Sequence, residues 1–204
     1  MPKKISFYLL LIVLIGLCAG CDSKPRIATL GQNTVVLAVG DSLTYGTGAT
    51  SEQSYPSVLA VLLGRPVINS GIPGEISENG LDRLSKELDK HAPTLVILCH
   101  GGNDFLRRLD TEKTKKNIQA MIEMVRFRGA DIVLLGVPKL GWGLSIPSFY
   151  RDLADNYKIP FEDEILVTLL TDNSKKSDTI HPNAIGYRLM AESIRDLINK
   201  SENE

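Results

Sequence analysis

Short runs of consecutive apolar residues alternate along this chain with longer segments whose apolar positions recur every three or four residues. The runs at 34–39, 66–69, 94–99 and 131–137, with a weaker one at 159–161, are rich in Val, Ile and Leu and show no polar alternation. That pattern predicts strands covered on both faces, hence a parallel sheet between helix layers. Between the runs, Val58, Leu59, Leu62 and Leu63 fall at helical spacing within 54–63, and Leu81, Leu84 and Leu88 do so within 77–88. Ile118, Met121, Ile122 and Val125 mark 111–127, and Ile185, Leu189, Ile194 and Leu197 mark 184–198. Segments 148–156 and 162–170 are weaker helix candidates. The alternating order predicts a doubly wound α/β domain, a three-layer α/β/α sandwich with a mostly parallel sheet of about five strands and ligands at the strands' carboxyl ends.

The chain of 204 residues fits one domain with a full core. A formal net charge of −1 lacks the basic excess of a nucleic-acid binder, so no nucleic-acid partner is expected. The first twenty-one residues change the picture. Lys3 and Lys4 precede a run at 5–17 that is apolar except for Ser6 and Gly16, and Cys18-Ala19-Gly20-Cys21 follows. A basic start, an apolar middle and small residues before a cut are the marks of an export signal. The run is shorter than the ~20 residues of a spanning helix. Ala19-Gly20-Cys21 resembles a bacterial lipobox, with Cys18 where Leu is usual, which implies lipid attachment at Cys21. The expected protein is therefore exported and membrane-anchored, facing the periplasm or the outer surface. Its domains are expected as a signal at 1–21, a tether at 22–33 and a folded domain at 34–204. Of three cysteines only Cys99 lies in that domain, which excludes an internal disulfide and suits a buried small hydrophobe.

Three segments carry candidate chemistry. Ser42, in Gly40-Asp41-Ser42-Leu43, follows the first strand, where a side chain is exposed at the carboxyl edge; Ser and Asp are also ordinary helix caps. Asn103, in Gly101-Gly102-Asn103-Asp104, follows the third strand and offers amide donors to an oxyanion, although such a sequence also makes an ordinary turn. His181 lies three residues after Asp178, a spacing that lets the acid meet Nδ1 while Nε2 faces a nucleophile. Asn183 reads as the cap of the last helix. Gly74, after the second strand, either offers an N–H to the same pocket or is a turn glycine. Ser57-Val58-Leu59, Ile72, Phe105-Leu106, Leu140, Trp142, Leu144 and Ile146 fit an acyl pocket or the core equally well. No cluster of His, Cys and Asp has metal-ligand spacing, and neither nucleotide-loop motif is present.

Taken in order, these segments resemble the conserved blocks of the GDSL or SGNH hydrolases, most closely the small bacterial arylesterases and acyl-CoA thioesterase I/lysophospholipase L1 enzymes. The matching blocks are Gly40 to Gly46, Val67 to Gly74, Gly101 to Asp104 and Asp178 to His181. The resemblance implies a flavodoxin-like sheet and Ser42 as nucleophile, His181 as base and Asp178 as its partner. It also implies an oxyanion hole of the Ser42 and Gly74 N–H groups with the Asn103 side chain, no metal and no cofactor. The implied reaction is hydrolysis of a carboxylic ester or thioester, with a small-molecule or lipid ester as substrate, by a chain expected to act as a monomer. An O-acetyl esterase acting on envelope carbohydrate and a catalytically silent binding lipoprotein remain alternatives. Thr179 stands where Gly is frequent, and His100 has no role in the resemblance.

Overall fold

A computed structural model describes residues 25–141 and 143–202; the signal region, Cys21 and Trp142 lie outside the described residues. The main sheet has five parallel strands: β1 (Val36–Gly40), β2 (Val67–Gly71), β3 (Leu95–Cys99), β4 (Asp131–Leu135) and the two-residue β7 (Phe161–Glu162). Their order is β2-β1-β3-β4-β7. The chain steps from β1 outward to β2 and then back past β1 to β3. The reversal leaves a crevice between the carboxyl ends of β1 and β3, where open α/β sheets bind ligands.

Right-handed crossovers send the connections on either side of that reversal to opposite faces. Helices α2 (Tyr55–Leu63) and α8 (Ala184–Ser201) pack on each other, as do α3 (Ser77–His91) and α5 (Thr111–Phe127); α6 (Phe149–Tyr157) lies against α5 and β4. Every residue of β3, and Val36 to Val39 of β1, is fully buried, which is why these strands read as unbroken apolar runs. The edge strand β2 is only partly buried and ends in Ser70 and Gly71, which lack a strand signature; pairing with Val39 and Gly40 of β1 makes them strand. β7 starts late because Pro160 has no N–H, although its carbonyl accepts from Leu134 N–H at 2.9 Å.

Four features depart from the sequence pattern. Short helices α1 (Ser42–Tyr45) and α4 (Gly102–Leu106) follow β1 and β3, and a hairpin of β5 (Lys139–Gly141) and β6 (Gly143–Ser145) follows β4. Helix α7 (Ile165–Thr171) begins three residues later than expected. Part of the stretch expected as tether is fastened to the domain. Ile27 is 1% exposed and pairs with Glu202, its N–H donating to Ser201 O at 2.8 Å, while Ala28 N–H donates to Asp131 at 2.6 Å and Leu30 N–H to Glu202 at 2.9 Å.

Candidate active site

Ser42 is placed by the turn out of β1. Register pairs Gly40 with Gly71 of β2 and Cys99 of β3, so the three strand ends lie side by side. Only glycine fits at 40, because a Cβ there would sit 2.2 Å from the Cys99 carbonyl oxygen. Asp41, not Ser42, caps α1: its Oδ1 accepts Leu43 N–H at 3.1 Å. Ser42 is thereby the first helical residue, and its hydroxyl is spared the capping role. Burial pushes the Asp41 carboxyl above its ordinary value, with His100, Leu43 N–H and His181 pulling the other way.

His181 reaches Ser42 from a loop closed at its base by pairing of Lys176 with Pro182 and by Ser177 N–H donating to His181 O at 2.9 Å. Asp178 Oδ1 accepts the N–H groups of Ile180 and His181 at 2.8 and 2.9 Å, while Oδ2 lies 2.7 Å from His181 Nδ1. Partial burial raises the Asp178 carboxyl, but the bonds from His181 and the two N–H groups outweigh it and hold it below its ordinary value. An ionised Asp178 accepts only, so Nδ1 carries the proton and the Nε2 lone pair faces Ser42 Oγ at 3.0 Å. Thr179 has no positive φ, so the loop needs no glycine there. Asn183 caps α8 through Ile185 and Gly186 N–H, as its sequence position suggested.

Asn103 lies opposite, in α4. Its Nδ2 donates to Glu75 O at 3.0 Å and Asp41 Oδ2 at 3.3 Å. Asp104 joins α4 to α3, accepting Ser77 N–H and Oγ–H at 2.8 and 2.6 Å. Gly74 adopts φ +78 and its carbonyl accepts from Arg107 at 2.6 Å. Glu75 is clamped by Arg83 through two bonds of 2.7 Å and by His100 Nε2 at 3.1 Å. Burial raises its carboxyl, but His100 and Arg83 together hold it below the ordinary 4.5. Glu75 and Arg83 carry no motif signal in the sequence. The ring nitrogens of His100 are occupied by Glu75 and by Gly101 N–H, so it does not join His181 and Asp178. Among the described residues no His, Cys, Asp and Glu cluster is placed to hold a metal ion. Cys99 is fully buried, and burial pushes its thiol up.

Ser42, His181 and Asn103 line one cleft of about 520 Å³. Of the candidate wall residues, Phe105, Leu106, Leu140 and Leu144 line it; Leu59 is core, Ile72 is exposed outside it and Ile146 packs against the core. Leu43, Val137, Pro138, Leu170 and Ile180 add to the apolar lining. These residues read as core or loop in sequence, because only the folded chain brings the hairpin and α7 to the strand ends. Arg108 and Lys139 are exposed at the cleft.

A parallel sheet with a serine at its carboxyl edge, met by a histidine and an acid from a loop in one hydrogen-bonded row beside a cleft, is an arrangement suited to acyl hydrolysis. The chain belongs to the GDSL-like lipase/acylhydrolase family, whose sequence model matches residues 38–189. It is 31% identical over 170 residues to an arylesterase of Vibrio mimicus, covering 78% of this chain and 85% of that protein. It is 27% identical over 179 residues to thioesterase 1/protease 1/lysophospholipase L1 of Escherichia coli K12, covering 80% and 85%. The crystal structure of TesA matches with a TM-score of 0.73 at 26% identity, over 82% of this chain and 99% of that one. EstA from Pseudoalteromonas sp., a psychrotrophic esterase, shares the fold, with a TM-score of 0.72 at 22% identity over 82% and 98%. The protein is an esterase/acylhydrolase of the GDSL type.

Proposed function

We propose that this esterase hydrolyses carboxylic esters and thioesters through an acyl-enzyme on Ser42. His181 Nε2 takes the Ser42 proton as Oγ attacks the carbonyl carbon, and Asp178 stabilises the imidazolium. The oxyanion receives the Ser42 and Gly74 N–H groups and the Asn103 amide, which exchanges its longer bond to Asp41 for the substrate oxygen. His181 then returns the proton to the departing alcohol or thiol, and activates the water that releases the acid. One observation carries this reading: the unbroken row from Ser42 Oγ through His181 to Asp178, with links of 3.0 and 2.7 Å. The test is a p-nitrophenyl ester series from acetate to palmitate with the protein and its Ser42→Ala variant. Loss of turnover in the variant is expected; full activity would sink the assignment.

The apolar lining favours an acyl chain over a sugar, and short-to-medium acyl esters, aryl esters, lysophospholipids and acyl thioesters fit it. Arg108 and Lys139 favour substrates whose remaining portion is anionic, such as a phosphate-bearing lysophospholipid or thioester. A cleft preferring acetylated carbohydrate would instead reveal itself as an optimum at acetate with no gain from a longer chain. We further propose that the protein is exported and held on a membrane by lipid at Cys21. Intact-mass measurement of the mature protein, with Cys21→Ser as control, tests that proposal.

A further inference from the structure

Resting on acylation at Cys21, we infer that the catalytic cleft faces away from the membrane that holds the protein. Ile27 is pinned beside Ser201 and Glu202, at the carboxyl end of α8, and Ala28 is bonded to Asp131, the first residue of β4. Both contacts lie at the amino-terminal edge of the sheet. His181 precedes the opposite end of α8, and Ser42 and Asn103 follow the carboxyl ends of β1 and β3. At a rise of about 1.5 Å per residue, α8 separates the two edges by about 27 Å. From Cys21 to Ile27 the chain can reach at most about 22 Å. The leash is shorter than the distance it must cover to bring the cleft onto the bilayer. Esters that enter the cleft therefore come from its aqueous side and not from the bilayer that anchors the protein.

The experiment reconstitutes the full lipidated chain in phosphatidylcholine vesicles carrying a headgroup energy acceptor, with a donor dye at Leu140→Cys beside the cleft or at Lys200→Cys near the pinned end. Strong quenching at position 200 and weak quenching at 140 is expected, and a 20-residue Gly-Ser insertion after Asp22 should reduce the difference. Equal or reversed quenching in the uninserted chain overturns the inference. Failure of the anchor itself is separate, because the parent and Cys21→Ser proteins would then float alike or both fail to float.

An independent observation assigns a role to His100: the geometry points to a positioning residue that sets the Gly74 and Asn103 donors of the proposed oxyanion site. His100 Nδ1 accepts Gly101 N–H at 3.1 Å, so Nε2 carries the proton and donates to Glu75 Oε2 at 3.1 Å. One ring thus braces the residue after Gly74 and the turn that leads to Asn103. The Glu75 carbonyl closes the circuit by accepting from Asn103, and Tyr150 Oη–H donates to the His100 carbonyl at 2.6 Å. Gly80 makes room, since a Cβ there would lie 2.3 Å from His100 Nε2.

Three substitutions separate the two bonds. Gln keeps a donor for Glu75, Asn keeps an acceptor for Gly101, and Leu keeps neither. His100→Leu is expected to lower kcat by up to ~10²-fold with KM nearly unchanged, the scale of a 1 Å misplacement in a catalytic site. His100→Gln and His100→Asn should fall between it and the parent. Binding of a trifluoromethyl ketone, whose serine adduct bears the oxyanion, should weaken in parallel with kcat. Folded variants with parental kcat, or a loss confined to KM, overturn the assignment. If Ser42→Ala is inactive while these variants are unchanged, only the His100 role fails; an active Ser42→Ala removes the proposed site itself.

Discussion

The two sides of the cleft are built in opposite ways. On one, Asp178 and His181 are bonded within a single loop, three residues apart, with the Asp178 side chain 52% exposed. On the other, Asn103 is held by Glu75, and Glu75 by Arg83 and His100; these groups come from the segments after β2 and β3 and from α3, and the Glu75 side chain is 5% exposed. The first side relies on a few local, partly solvated bonds that orient the imidazole, as the proposed proton carrier requires. The second uses buried charge to fix the Asn103 amide, a donor that under the proposed mechanism must not reorganise as negative charge develops. On the proposed mechanism, a local loop supplies proton transfer and a tertiary network supplies electrostatic rigidity.

Substitutions can break this contrast. If the proposed triad operates, the largest effect is expected from His181→Ala, about 10⁶ in kcat, with Asp178→Ala lower at about 10⁴. Neither should change the melting temperature much, because their bonds are local and partly solvated. Arg83→Ala should do the reverse, costing about 3–5 kcal/mol of folding stability by leaving Glu75 buried without its partner; denaturant titration measures it, and an unaltered midpoint would show that the network is not structural. Asn103→Ala should lower kcat by about 10²–10³, or about 2.7–4 kcal/mol, with little change in KM.

The smallest effect is in acid. The Glu75 carboxyl is held below its ordinary 4.5, so the stability it contributes is fully present above that value and is lost as pH falls through its folded value. The gap in melting temperature between the protein and Glu75→Gln should therefore be constant at neutral pH and narrow below 4.5. Asp178 is also held low, but its exposure screens the interaction, so Asp178→Asn should show a smaller gap over the same range. Equal gaps would erase the distinction between the two sides.

What was legible in sequence follows the same division. Helix α5 begins at Thr111 and ends at Phe127 as its periodicity indicated, because a capping Asp110 and an amphipathic face are local properties. The Asp178 and His181 pairing is likewise written in their spacing. Ser42 was marked by its place after an apolar run, although Asp41 proved to be the cap. Helices α1 and α4 are too short to show a period, and the β5–β6 hairpin has no alternating pattern.

Sequence by itself determined the alternation of buried strands and amphipathic helices, and with it the doubly wound sheet and the three segments of candidate chemistry around Ser42, Asn103 and His181, since each depends on neighbours within a few residues. Only the tertiary structure decided that Glu75, Arg83 and His100 form one buried node under Asn103, that Leu140, Leu144, Leu170 and Ile180 share a cleft wall, and that Ile27 is tied to the end of α8. Those contacts join residues far apart in the chain, and a side chain's type at one position does not state which distant partner the fold will bring to it.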